Sequence, residues 1–168
     1  MQLGAELKST EVVLEADRTF PLGHANPSVR ELSPFRHGQF LRLHESAFPG
    51  TYRSGRGILE RIDTNACVLM YENEDGLQGY IYVEREPEFG VGQIEFIAVA
   101  PLSRGRGIGA ALLQRGLGYL FEDSRIEKVT LCLRADNEQA LRLYRKAGFR
   151  ELHRLRFYKI SGQHSKDD

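Results

Sequence analysis

The chain has 168 residues, 41% hydrophobic and 27% charged, with 23 basic residues balancing 23 acidic ones. That describes one soluble domain with a real core; a zero formal charge leaves no electrostatic footprint for nonspecific nucleic-acid binding, and no apolar run reaches membrane-spanning length. The N-terminus lacks a signal-peptide apolar region, so the chain reads as cytoplasmic, with Cys67 and Cys132 as buried free thiols of a reducing compartment.

In chain order, residues 11–20 (EVVLEADRTF) can form a strand, and 21–27 (PLGHANP) read as a turn or linker. A short strand over 29–32 precedes a helix from about 34 to 48, which the Phe48-Pro-Gly segment breaks. A second short helix covers 54–62. Residues 66–71 and 77–85 form a hairpin around the turn formers at 72–76. In its second strand Leu77, Gly79, Ile81 and Val83 alternate with Gln78, Tyr80, Tyr82 and Glu84, the period of a half-buried strand. A strand over 93–100 leads to a helix over 105–121, whose Ile108, Leu112, Leu113, Leu117 and Leu120 share one face. Val129, Leu131 and Leu133 alternate in the next strand. Asp136 or Asn137 caps the last helix, Gly148 stops it, and 149–160 is strand material before a polar tail expected to be disordered.

The stretch 94–121 carries the chemistry: an apolar strand, a Pro-containing turn, a basic glycine-rich loop and an apolar helix. Glycines let backbone N–H groups approach an oxyanion, and a helix start adds partial positive charge. A phosphorylated ligand follows. A P-loop needs Lys then Ser or Thr after its last glycine, but Ala110 and Ala111 follow Gly109. Gly105, Gly107 and Ala110 do satisfy the G-x-G-x-x-A dinucleotide fingerprint. Against it, the acid that fold needs roughly 20 residues on is missing, Asp136 lying later, and too little chain remains for a doubly wound sheet.

Arg104, Gly105, Arg106, Gly107, Ile108 and Gly109 resemble the pyrophosphate loop of the GNAT superfamily, the acyl-CoA-dependent N-acyltransferases. A second signature follows, with Asn137, Ala140, Leu143, Tyr144, Lys146, Gly148 and Phe149 matching N-x-x-A-x-x-L-Y-x-K-x-G-F. The resemblance covers about 27–160 and implies an α/β fold: a mixed, mostly antiparallel sheet with a splayed central strand pair, flanked by helices. The implied organisation is a GNAT domain over 28–160 and a tail over 161–168. Residues 1–27 are then an extra strand and linker, or the remnant of a tandem partner.

The resemblance further implies an N-acetyltransferase that moves the acetyl group of acetyl-CoA to a primary amine by direct attack. The alternative is a non-catalytic acyl-CoA-binding sensor or the regulatory half of a tandem protein. Backbone N–H groups over 104–109, with Ala110 behind them, would anchor the pyrophosphate. Arg104 and Arg106 would add charge, Arg106 reading equally as a solvated surface residue. Ile97, Ala98 and Val99 would line the pantetheine arm, with the free backbone of Ile97 and Val99 pairing to it. Asn137 would cap its helix and touch the same arm.

Glu95, the one acid inside an apolar strand, is the candidate base, reading equally as a surface-facing acid, with Glu84 the weaker alternative and a water chain a third route. Tyr144 is the candidate proton donor to the departing thiolate, its other reading being a packed aromatic. Tyr52, Tyr80, Tyr82 and Glu84 are the candidate amine-site residues, each reading equally as packing. The five histidines have no metal-ligand spacing, so no metal is expected. The expected acceptor is an amine-bearing small molecule or protein, and a homodimer stays open.

Overall fold

The computed structural model describes residues 4–21 and 23–160, and the polar tail expected beyond Ile160 lies outside them. In chain order the elements are β1 (Ala5–Asp17), β2 (Val29–Glu31), α1 (His37–Ala47), α2 (Gly55–Arg61), β3 (Ala66–Asn73), β4 (Gly76–Glu86), β5 (Val91–Val99), α3 (Ile108–Glu122), β6 (Lys128–Arg134), α4 (Glu138–Lys146) and β7 (Arg150–Ile160). The strands form one sheet in the order β2-β3-β4-β5-β6-β1-β7. Every neighbouring pair is antiparallel except β5–β6. No helix among the described residues is long and apolar enough to cross a membrane.

Two cores sandwich the sheet. On one face Leu112, Leu113, Leu117 and Leu120 of α3, with Leu141 and Tyr144 of α4, pack on Val12, Leu14, Leu69, Ile81, Val83 and Ile94. Burying each of these aliphatic side chains stabilises by roughly 1.5–3 kcal/mol. On the other face Phe40 of α1 and Ile58 of α2 cover Val68, Met70, Tyr80, Tyr82, Phe96 and Ala98. Central strands covered on both faces lose their polar alternation. The half-buried reading of β4 is therefore corrected: Tyr80 and Tyr82 are as fully buried as Ile81 and Val83.

The N-terminal strand is an internal member of the sheet. β1 pairs along Glu11–Asp17 with β6 on one side, and from Ala5 to Glu15 with β7 on the other. Val12, Leu14 and Ala16 are buried in the α3 core. The strand begins at Ala5, earlier than its apolar pattern suggests, because β7 pairs with its polar first half.

β5 departs from β6 after a short parallel run. Among the described residues only Val91, Gly92 and Gln93 find partners there, so from Ile94 onward no described strand lies beside that edge of β5. On its other edge β5 carries a β-bulge. Val83 opposes Ile94 and Tyr82 opposes Phe96, which leaves Glu95 without a partner. A bulge re-aims side chains locally. Ile94 thus joins the α3-side core while Phe96, two residues on, joins the α1-side core. Helix α3 starts at Ile108, later than expected, because Gly105 and Gly107 both take φ of +77° in the left-handed region.

Candidate active site

Two clefts meet where β5 and β6 diverge. The first, about 470 Å³, is lined by Ile97, Ala98 and Val99 of β5, by Arg104, Gly105 and Gly107–Ala110, and by Asn137, Ala140 and Leu143 of α4. Helix α3 opens onto it. Gly107 is the cap, no side chain caps this end, and the first amide to find an acceptor is that of Ala111, on the Gly107 carbonyl. The N–H groups of Ile108, Gly109 and Ala110 are left for a ligand. A Cβ on Gly105 or Gly107 would meet no protein atom within 4 Å. The loop therefore cradles open space, as an anion site requires.

The loop is tied down from β4. The Gln78 carbonyl accepts from the Ala100 amide at 2.8 Å, and the Gln78 side-chain oxygen accepts from the buried Ser103 hydroxyl. Arg104 donates Nε to the Val99 carbonyl at 3.3 Å and lines the cleft, whereas Arg106 is exposed and does not line it. Asn137 caps α4, its side chain accepting from the Ala140 amide at 3.2 Å, and also faces the cleft.

The second cleft, about 1020 Å³, lies between β5, β6, β1 and the α1–α2 connection. Phe48 and Asn137 line both clefts, so the two join through the gap in the sheet. Glu95 lines this second cleft, and its carboxylate accepts from the Tyr52 hydroxyl. Burial first, and that bond second, push the Tyr52 phenol up, so it stays a donor. Tyr52 stacks on Phe96 with ring centroids 5.2 Å apart, and Phe48 lies 5.0 Å from the same ring. Behind them His44, buried, donates Nε2–H to the Arg53 carbonyl at 2.8 Å, and its Nδ1 then accepts from the Tyr80 hydroxyl at 2.5 Å. This pair locks the α1–α2 connection onto the sheet.

The remaining candidates fall elsewhere. Tyr80 and Tyr82 are buried in the α1-side core and line neither cleft. Glu84 faces a separate hollow beside Arg61, where it accepts from the Tyr82 hydroxyl and from Arg61 Nε at 3.1 Å. Burial pushes the Glu84 carboxyl up, but these two donors outweigh it and hold it below the ordinary range. A carboxylate so stabilised and so placed is a poor base for this cleft. Tyr144 packs edge-on to Phe149 at 5.6 Å in the α3-side core, on the same helix as the wall residues Ala140 and Leu143 without lining the cleft itself. Burial pushes its phenol well above the usual range.

Glu11 and Cys132 line the second cleft and were not foreseen as site residues. Cys132 is an exposed free thiol on the uncovered face of β6, which corrects the buried reading; Cys67 is free and buried. Only the pairing of two strands far apart in sequence brings Glu11 to this place.

The family model of the acetyltransferase (GNAT) family matches residues 37–149. An N-alpha-acetyltransferase of Sulfurisphaera tokodaii is 30% identical over 135 residues, covering 74% of this chain and 81% of that protein. A mycothiol acetyltransferase of Kineococcus radiotolerans is 31% identical over 118 residues, covering 66% of this chain but 38% of its own. The chain thus spans well under half the length of that relative. Among solved structures, a GCN5-related N-acetyltransferase from Sphaerobacter thermophilus superposes with a TM-score of 0.72 at 22% identity, covering 95% of this chain and 55% of that one.

Proposed function

The chain belongs to the GNAT family of acetyltransferases, and we propose that it moves the acetyl group of acetyl-CoA onto a primary amine by direct attack. The observation that carries this reading is the join of the two clefts at Phe48 and Asn137. A helix start faces one side of the gap and a carboxylate the other. Acetyl-CoA, once bound, supplies an activated thioester; the chain supplies position and proton traffic.

The amides of Ile108, Gly109 and Ala110, with Arg104 beside them, hold the pyrophosphate by hydrogen bonds and helix-end charge. Arg106 adds only long-range charge from the surface. The unpaired edge of β5 at Ile97 and Val99 offers backbone groups to the pantetheine amides, as an added strand would. These contacts fix the reacting carbonyl at the gap, so orientation lowers the barrier. Glu95, oriented by Tyr52, takes the ammonium proton, because only the neutral amine attacks. Tyr144, kept protonated by burial behind the wall residues Ala140 and Leu143, is the proposed donor to the departing sulfur and has to turn into the cleft to reach it.

The second reading is a non-catalytic half of a tandem protein, weighed because the chain spans 38% of the mycothiol acetyltransferase of Kineococcus radiotolerans. An amine panel read by free-thiol release, alongside calorimetry with CoA, acetyl-CoA and NAD, separates the readings. Acetyl-CoA binding with thiol release that depends on the amine supports transfer. Binding without release under any amine supports the second reading, and NAD binding in place of CoA defeats both.

A further inference from the structure

Several carboxylates that are buried or half-buried are neutralised by bases, while Asp17 and Glu86 accept from Thr19 and Gln93 instead. Glu72 meets Arg36 at 2.7 Å, and Glu84 meets Arg61 at 3.1 Å. Glu15, buried on β1, lies 3.6 Å from Arg150 and 4.0 Å from Lys128. Two carboxylates on the wall of the second cleft likewise meet no base. Glu95 accepts from the Tyr52 hydroxyl, and Glu11 accepts from the Cys132 thiol at 3.0 Å. Both donors are neutral, and no base lies within ion-pair distance of either carboxylate among the described residues. The remaining charges on the wall, Arg134 and Asp136, neutralise each other at 2.9 Å. The lining therefore holds three carboxylates, Glu11, Glu95 and Asp136, against one guanidinium, Arg134.

Their placement is set by the sheet. Glu95 stands at the bulge beside the gap. Glu11 is opposite Arg134 on β1, on the far side of β6, with Val13 opposite Cys132 on the same face. No helix among the described residues covers this half of that face, and the cleft of about 1020 Å³ runs along it. A simple amine at the gap would reach Glu95 and leave Glu11 unmatched.

We propose that Glu11 is a specificity-determining residue that binds a second cationic group of the acceptor, so that the substrate class is a diamine or a larger amine with a cation remote from the reacting nitrogen. This rests on the acetyltransferase reading. It also gives β1, which precedes the family-matched residues 37–149, a direct part in choosing the substrate. A Cys132 thiol that hydrogen-bonds one carboxylate oxygen leaves the other oxygen for an ammonium group.

The test compares diaminobutane and diaminohexane with butylamine and hexylamine, using free-thiol release for kcat and KM. Calorimetry of each amine against the protein–CoA complex gives a readout free of turnover. The wild type is expected to favour a diamine over its matched monoamine by about tenfold or more, the scale of one charge-assisted hydrogen bond. Glu11→Gln should raise the diamine KM and Kd to the monoamine values while kcat for the diamine falls little; Glu11→Asp should restore part of the preference. Amines turned over with no diamine preference, or a preference that survives Glu11→Gln, overturns the inference and leaves acetyl transfer intact. Absence of both thiol release and diamine binding overturns the inference together with the reading beneath it. If Glu11→Gln fails to fold, an absent diamine preference in the wild type still overturns the inference, and Glu11→Ala, read by the same diamine-to-monoamine ratio, replaces Glu11→Gln.

Discussion

The phosphate-loop assignment is tested by two substitutions at Gly107. This residue has φ of +77°, where an L side chain costs roughly 1–2 kcal/mol. A Cβ there meets no protein atom within 4 Å, so Gly107→Ala adds backbone strain and no collision. For a domain of this size that strain lowers Tm by about 2–8 °C. Gly107→Glu carries the same strain and also projects a carboxylate into the space where the pyrophosphate would sit. At about 5 Å and an effective dielectric of about 20, one pair of like charges repels by roughly 3 kcal/mol. That corresponds to roughly a hundredfold loss of CoA affinity before any steric exclusion. Differential scanning calorimetry should therefore report similar Tm values for the two variants, while titration calorimetry separates them, the Glu variant losing at least a hundredfold and the Ala variant much less. Equal CoA affinity in a folded Gly107→Glu protein would refute the assignment of this loop as the anchor.

Other expectations are more compact. Glu95→Gln should cost roughly 10²–10⁴-fold in kcat and shift the acidic limb of the pH–rate profile, and Tyr144→Phe should lower kcat more than it raises KM; normal rates with unmoved profiles reject both roles. Leu117→Ala, emptying a fully buried position on α3, should cost about 2–5 kcal/mol by denaturant titration, and a loss under 1 kcal/mol would contradict the packing described. Deleting β1 should abolish the cooperative transition, since β7 pairs with no other strand among the described residues, and a cooperative melt in the truncated protein would count against this topology. Cys132, though on an exposed residue, has its thiol pushed up to about 12 by burial of the sulfur and then by the Glu11 carboxylate. It should alkylate slowly at pH 8 and faster in Glu11→Gln, and equal rates would disprove the contact.

Some of this was legible in the residues because it is local. The face of α3 is written in the spacing of Ile108, Leu112, Leu113, Leu117 and Leu120, and all five are buried. The turn that needs positive φ is written in Gly105 and Gly107. The cap on α4 is written in Asn137. The bulge was not legible: Ile94 and Phe96 are two apart and both apolar, so period-two reading puts them on one face. Only the register against Val83 and Tyr82 shows that Glu95 interrupts it. The tyrosines of β4 misled for a related reason. A phenol in a strand suggests an open face, but here buried partners satisfy the hydroxyls, His44 for Tyr80 and Glu84 for Tyr82.

The same distinction divides the proposed site into a donor half and an acceptor half. The donor half is assembled mainly from 97–110 and 137–143, two stretches whose local sequence carries their geometry. The acceptor half draws on Glu11 and Val13, on Phe48 to Tyr52, on Gln93 to Phe96 and on Thr130 to Asn137. No periodicity or motif links those segments. They meet because β1 enters the sheet between two strands that follow it in the chain, and because β5 parts from β6 after Gln93. A local motif can preserve the donor cleft while a change in one distant strand pairing rebuilds the acceptor cleft. The role proposed for Glu11 would therefore put substrate choice on β1, the strand with the least local signal, and resemblance in the glycine loop alone carries no information about which acceptor is used.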